Sequence, residues 1–135
     1  MADAFQLEIV TPEKMVVRDA AEEMQIPGKN GYLGILPGHA PLITELAVGE
    51  ISYRSRNHTY HLSVAWGFAE VLPDKVTILA ETAERADEID VKRAREAKQR
   101  AQTNLTSCAT EEDFKRTAAD IKRAETRLEV AEKRQ

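Results

Sequence analysis

The chain is short of cysteine, of aromatic side chains and of long apolar runs, and beyond Glu84 it has neither Gly nor Pro. Each shortage excludes something. One cysteine, Cys108, forbids an internal disulfide and suits a reducing compartment. No stretch approaches the roughly 20 apolar residues that a helix needs to cross a bilayer. The start, Met1-Ala2-Asp3-Ala4-Phe5, has no basic segment followed by an apolar run, so no secretory signal is expected. Aromatics make up 5% of the residues and the net charge is -4. A nucleic-acid-binding surface, which needs a basic stripe interleaved with aromatics, is therefore the poorest functional class.

What is present divides into two regions. At 135 residues the chain has room for one core plus a small appendage. Residues 1–87 carry seven Lys and Arg against 13 Asp and Glu, whereas residues 88–135 carry 12 against 10. An acidic part followed by a weakly basic one points to different partners for the two. From Phe5 to about Ala80 the apolar residues recur with period two: Phe5, Leu7 and Ile9; Ile51 and Tyr53; Tyr60, Leu62 and Val64; Val76 and Ile78. Trp66 and Phe68, alternating with Gly67 and Ala69, read as one strand's core face. Turn signals at Thr11-Pro12, Pro27 to Gly31, Pro37-Gly38, Val48-Gly49 and Pro73-Asp74 separate the runs. Short strands with one buried and one wet face predict an antiparallel β-sandwich over residues 1–86.

Residues 87–135 change to Ala, Glu, Lys and Arg, all good helix formers. Helices are expected from Ile89 to Leu105, capped by Asp87, and from Glu111 to Arg134, capped by Thr110. The short connection at Thr106 to Ala109 folds them into an antiparallel hairpin, which makes the whole chain α+β. The hairpin's apolar face is thin: Phe114, Ile121 and Leu128 with Ala118, Ala124 and Ala131, against Ala94, Ala97, Ala101 and Leu105. A large buried side chain contributes roughly 1.5–3 kcal/mol, while ordering each residue's backbone costs roughly 1–2 kcal/mol. So sparse a face leaves the hairpin marginal alone and easily reorganised by a ligand or partner.

No catalytic constellation is found. Gly28-Lys29-Asn30-Gly31 lacks the spacing of a phosphate-cradling P-loop, no Gly-x-Ser-x-Gly elbow occurs, and Cys108 has no evident histidine partner. His58 and His61, three apart on a strand, point to opposite faces and form no metal pair. His39, in Gly38-His39-Ala40-Pro41, reads as a turn residue. The residues describe a binding protein, not an enzyme, with no metal.

Four collinear segments then carry a resemblance. Gly31 to Leu42 (GYLGILPGHAPL) is similar to the signature of the epsilon subunit of bacterial proton-translocating F-type ATP synthases. Leu7 to Glu13 resembles that family's first strand and turn. Gly67 to Val71 with Val76 to Ala80 resembles its last strands, and Ile89 to Ala94 the motif that opens its helical hairpin. The resemblance spans the chain, in order and at family length. It implies a non-catalytic subunit of the central stalk that joins the gamma subunit to the ring of c subunits. It also implies a mobile hairpin that extends toward the alpha–beta head and inhibits ATP hydrolysis. The place implied is the cytoplasmic face of the bacterial plasma membrane, held peripherally through the complex.

The resemblance also implies sites. The loop of Lys29, Asn30, Gly31, Tyr32 and Leu33, together with His39, matches positions that meet partners in the rotor. Tyr32 stands where some members carry a carboxylate, and Trp66 where many carry glycine. In some bacterial members the folded hairpin binds ATP without hydrolysing it, and the matching positions here are Glu84, Ile89, Asp90, Arg93, Ala94, Arg100, Arg123 and Arg127. Helical spacing agrees, since Arg93 and Arg100 share one face of the first helix and Arg123 and Arg127 one face of the second. Such guanidiniums can hold phosphates by charge-assisted, often bidentate hydrogen bonds. Solvated surface arginines satisfied by Glu96, Asp120 and Glu125 are the bland alternative. A stand-alone ATP-sensing module is the competing function.

Overall fold

A computed structural model describes residues 3–134; Met1, Ala2 and Gln135 lie outside the described residues, as do the first two positions read above for a secretory signal. Eight strands come first: β1 (Phe5–Val10), β2 (Met15–Ala21), β3 (Glu23–Gly28), β4 (Gly31–Ile35), β5 (Leu42–Leu46), β6 (Gly49–Ser55), β7 (His58–Val71) and β8 (Lys75–Arg85). A single 3-10 turn, Ala86–Glu88, leads into α1 (Val91–Leu105) and α2 (Glu111–Ala131). The strands pair antiparallel except β1 with β8, which run parallel. The period-two residues do what their spacing predicts: Phe5, Leu7, Ile9, Ile51, Tyr53, Leu62, Val64, Val76 and Ile78 are all buried in one core cluster fed by every strand. Most of these large side chains are wholly removed from water, so this cluster supplies the bulk of the chain's hydrophobic stabilisation.

β7 is the strand that turns one sheet into two layers. Its first half pairs with β6, from His58 opposite Ser55 to Val64 opposite Gly49. Its second half pairs with β5, from Gly67 opposite Leu46 to Val71 opposite Leu42. The change of partner falls at Trp66 (φ 51) and Gly67 (φ 130), both in the left-handed half of backbone space. This corner corrects one expectation. The side chains of β7 in the main core are Leu62 and Val64 before it and Ala69 and Val71 after it, so the phase slips by one residue and Phe68 is turned to solvent. Trp66 is only partly buried and is not part of the core. The sheet then closes on itself as β2 meets β6, where Ser55 Oγ donates to Asp19 Oδ1 at 3.3 Å.

The β6–β7 connection is the two-residue loop Arg56-Asn57, with φ of 54° and 64°. Positive φ at both positions is the type I′ hairpin turn, whose twist matches that of the flanking strands. Between the parallel strands, Lys75 Nζ lies 2.9 Å from Glu8 Oε1. That hydrogen bond holds the Glu8 carboxyl below its ordinary range, against a smaller opposing effect of burial. A depressed folded-state pKa contributes stability that is present above the unfolded value and is lost as pH falls through the folded one. Replacing Lys75 by Met is therefore expected to move Glu8's NMR titration midpoint upward; a midpoint that stays put would refute the pairing.

The helices are capped as their chemistry requires, with one shift. Thr110 Oγ1 accepts from Asp113 N at 3.0 Å, as expected for α2. α1 is capped by Asp90, whose Oδ1 accepts from Arg93 N at 3.0 Å, while Asp87 lies in the preceding 3-10 turn. The extra turn arises because Ile89 is pulled into a second small core with Ala86, Val130 and Ala131. α2 is the helix that lies against the sandwich, along β7 and β6. Its thin face is thinner than the sequence implies, since Phe114 is 51% exposed and Ala118 is exposed too. The buried side chains of α1 are Ala94 and Ala101, and those of α2 are Ala124, Thr126, Val130 and Ala131.

Candidate functional site: a cleft under the helical hairpin

Where α1 and α2 meet the end of β8, they leave an open cleft of about 500 Å³. Glu84, Ile89, Asp90, Arg93, Ala94, Arg100 and Arg127 all line it, seven of the eight hairpin positions singled out above. The local sequence explains the convergence. Arg93 and Arg100 are two helical turns apart on α1, Arg127 comes from α2, and Glu84 from the end of β8. Ala94 and Ala97, also in the lining, are small enough to leave the space open. Ile89 is held in the small core, so it shapes the cleft's wall and anchors its base.

Charge in the cleft is nearly balanced. Glu13, Glu81, Glu84, Glu88 and Asp90 face Lys14, Arg93, Arg100 and Arg127. Arg127 Nε donates to Glu84 Oε1 at 2.6 Å, and Lys14 Nζ lies 3.7 Å from Glu88 Oε2. Among the described residues, the Arg93 and Arg100 guanidiniums have no ion-pair partner, and both residues are exposed. Asp90 uses one carboxylate oxygen to cap α1. The site therefore offers two uncommitted guanidiniums, a third in a pair that an anion can exchange, and carboxylates able to accept from hydroxyl or amino groups.

Arg123 is the eighth position, and it is elsewhere. Its Nη2 donates to Asp120 Oδ1 at 2.7 Å, and its Cζ sits 5.2 Å from the centre of the Trp66 ring. Lining residues that sequence reasoning missed include Thr11, Glu13 and Lys14, which enter because the β1–β2 turn reaches the same end of the molecule. No periodicity marks them.

The loop positions are anchored separately. Lys29 Nζ pairs with Glu45 Oε2 at 3.1 Å, next to Asn30 in the exposed β3–β4 turn that Gly31 closes. Tyr32 is exposed, yet its hydroxyl accepts from Glu50 N at 3.0 Å, and Leu33 packs partly on the main core. His39 lies in a different turn, its Nδ1 2.7 Å from Ala40 O, and Gly38 N donates to Pro73 O at 2.8 Å.

A second surface was not foreseen from the sequence. Ile43 on β5, Phe68 on β7 and Leu79 on β8 are 71%, 53% and 54% exposed. Phe68 and Leu79 are direct cross-strand partners, and Ile43 is opposite Glu70, the next outward residue of β7 after Phe68. The three form an apolar patch on the outer face of the sheet. The signal for it was the adjacent apolar pairs Leu42-Ile43 and Ile78-Leu79, which break strict alternation.

Comparison with known proteins matches this architecture piece by piece. The profile of the ATP synthase Delta/Epsilon chain beta-sandwich domain matches residues 4–86, and that of the Delta/Epsilon chain long alpha-helix domain matches residues 87–132. The chain belongs to the ATP synthase delta/epsilon-chain family. It is 71% identical over 111 residues, 82% of this chain and 78% of the relative, to the ATP synthase epsilon chain of Koribacter versatilis. It is 45% identical to the epsilon chain of Solibacter usitatus, over 99% of this chain and all of the relative. Family membership places it among the non-catalytic subunits of an ATP synthase. The fold recurs in a chain of the Euglena gracilis mitochondrial ATP synthase, at 20% identity with a TM-score of 0.82, covering 97% of this chain and 82% of that one. In the central stalk and c-ring assembly of the Tetrahymena thermophila enzyme it recurs at 14% identity with a TM-score of 0.67, over 94% and 96% of the two chains. No described helix is long and apolar enough to cross a membrane.

Proposed function

We propose that this chain is a rotor subunit of a bacterial F-type ATP synthase whose helical hairpin senses ATP without hydrolysing it. The observation that carries the sensing is the convergence of Arg93, Arg100, Arg127, Asp90 and Glu84 on one open cleft. A triphosphate entering it meets Arg93 and Arg100 unopposed and takes Arg127 from Glu84, which frees that carboxylate to accept from an amino group of the base. Because those arginines come from both helices, the ligand ties α1 to α2 and to β8. At 100 times its dissociation constant it would add about 2.7 kcal/mol to the folded hairpin. A hairpin with so few buried side chains is biased strongly by that amount, away from an extended form that inhibits ATP hydrolysis at the alpha–beta head.

The sandwich supplies the coupling. The Ile43, Phe68 and Leu79 face is the docking surface for the gamma subunit, since a monomer gains nothing by leaving these three neighbouring side chains in water. The Lys29 to Leu33 turn and the His39 turn meet the polar loops of the c ring. The complex holds the chain at the cytoplasmic face of the plasma membrane.

Isothermal titration of the chain with ATP tests the sensor. Wild type is expected to give saturable heat, and Arg93→Ala combined with Arg127→Ala to bind at least roughly 100-fold more weakly, since charge-assisted hydrogen bonds are worth about 1.5–3 kcal/mol each. Absence of heat in the wild type removes the nucleotide reading and leaves the docking role standing.

A further inference from the structure

The corner of β7 holds a bulky side chain in a conformation that bulky residues avoid. Trp66 has φ 51, where a side chain's Cβ crowds the following carbonyl and glycine is the natural occupant. Its backbone N–H donates to Ala47 O at 3.3 Å, but its side chain is outside the main core of the sandwich. Its ring is instead met from α2: the Arg123 guanidinium stands over it at 5.2 Å, within the range of a cation–π contact. Asp120 Oδ1, one turn earlier on α2, accepts from Arg123 Nη2 at 2.7 Å and fixes the guanidinium in place. A strained residue that persists is a pointer to use, and the use visible here lies on the hairpin.

We infer that Trp66 is a latch: the sandwich accepts local strain at its corner in order to hold Arg123, and with it α2, against β7. Two polar contacts follow the latch toward the C-terminus, Arg127 with Glu84 and Lys133 Nζ with Glu50 Oε1 at 2.6 Å. Arg123 and Arg127 lie on α2 and Lys133 just beyond its end, and α2 is the helix with the larger contact to the sandwich, while α1 packs chiefly on α2. Undocking is thus governed by α2. The latch also diverts Arg123 from the cleft, so ATP and Trp66 hold the hairpin by different arginines. Its existence does not depend on ATP binding; its regulatory meaning rests on the extended, inhibitory form proposed above.

The latch makes opposite demands on the two regions, which separates it from ordinary packing. Hydrogen exchange by NMR on the full chain would compare wild type with Trp66→Gly, Arg123→Gln and the double variant. Amides of α2 between residues 117 and 130 are expected to exchange roughly three- to tenfold faster in either single variant. The double variant should exchange no faster than the singles, because both remove the same contact. Sandwich amides in Trp66→Gly should be as protected as in wild type or more so, since glycine relieves the φ strain. Unchanged α2 exchange in the single variants overturns the latch, as do additive effects in the double variant. Equal loss of protection in the sandwich overturns it also, by showing that Trp66 supports the sheet.

Discussion

Replacing Gly67 by alanine is expected to lower the melting temperature of the sandwich by on the order of 15 °C, because an added methyl group there meets the closest obstruction of any glycine in the chain. Gly67 has φ 130, a conformation in which any side chain is strained. A Cβ built there collides with the Leu79 carbonyl oxygen and comes within 2.9 Å of Ala80 Cα. Both atoms are backbone of β8, held by the pairing of Gly67 with Ala80 and of Phe68 with Leu79, so neither can rotate aside. Relief must come from parting β7 and β8 at the point where β7 changes partners. Backbone strain of about 1–3 kcal/mol and overpacking of about 1–3 kcal/mol add to roughly 3 kcal/mol or more. Against a typical total of about 5–15 kcal/mol, that is a large fraction. Thermal unfolding followed by circular dichroism decides it, and a midpoint within about 3 °C of wild type would show that the corner is slack. Trp66 and Gly67 are adjacent yet carry opposite expectations: at 66 a smaller residue relaxes the strand, at 67 a larger one breaks it.

That corner also shows where sequence reading stops. Alternation placed Phe5, Leu7, Ile9, Ile51, Tyr53, Val76 and Ile78 on the buried face correctly, because a regular strand forces side chains to alternate. The same rule put Trp66 and Phe68 in the core and failed, because two positive φ values insert a phase slip that composition does not announce. Gly67 alone signals a bulge or a close approach; Trp66 gives no warning of a left-handed backbone. The Arg56-Asn57 turn escaped for a related reason, since arginine is not a residue that type I′ turns favour. Caps were legible to within a turn: Thr110 was placed, while Asp90 took the role expected of Asp87 because burial of Ile89 moved the helix start.

The cleft was partly legible. Helical spacing set Arg93 with Arg100 and Arg123 with Arg127, and that holds as a statement about each helix. It cannot say how α2 is rotated against the sandwich. Arg127 and Arg123 are four apart, which still leaves about 40° between them around the helix. In the structure that difference sends Arg127 to Glu84 and the cleft, and Arg123 to Trp66. The residue that decides between these fates lies more than 50 positions earlier in the chain, on another element. Thr11, Glu13 and Lys14 of the cleft were invisible for the same reason, being brought there by the parallel pairing of β1 with β8.

Changing Ile43 and Phe68 together to glutamate is expected to abolish docking to the gamma subunit while leaving the chain folded. Both side chains leave the sheet on its outer face, with neighbours Thr44 and Ala69 turned the other way, so the core is untouched. Burying an isoleucine and a phenylalanine in an interface gains roughly 1.5–3 kcal/mol each. Losing that gain, and forcing two carboxylates out of water without partners, costs at least about 4 kcal/mol, or roughly 1,000-fold in affinity. The patch already sits beside Glu45 and Glu70, the outward residues facing Phe68 and Ile43 across the strands. Added carboxylates there repel one another as well as the apolar partner. Each single substitution should fall between wild type and the pair, since the two side chains occupy one continuous surface. Pull-down of gamma by the purified chain, followed by gel filtration, measures this directly. If the doubly substituted chain melts like wild type and still elutes with gamma, the apolar face is not the dock, and the exposed turn at Lys29 to Leu33 becomes the surface to which the rotor contact must be assigned.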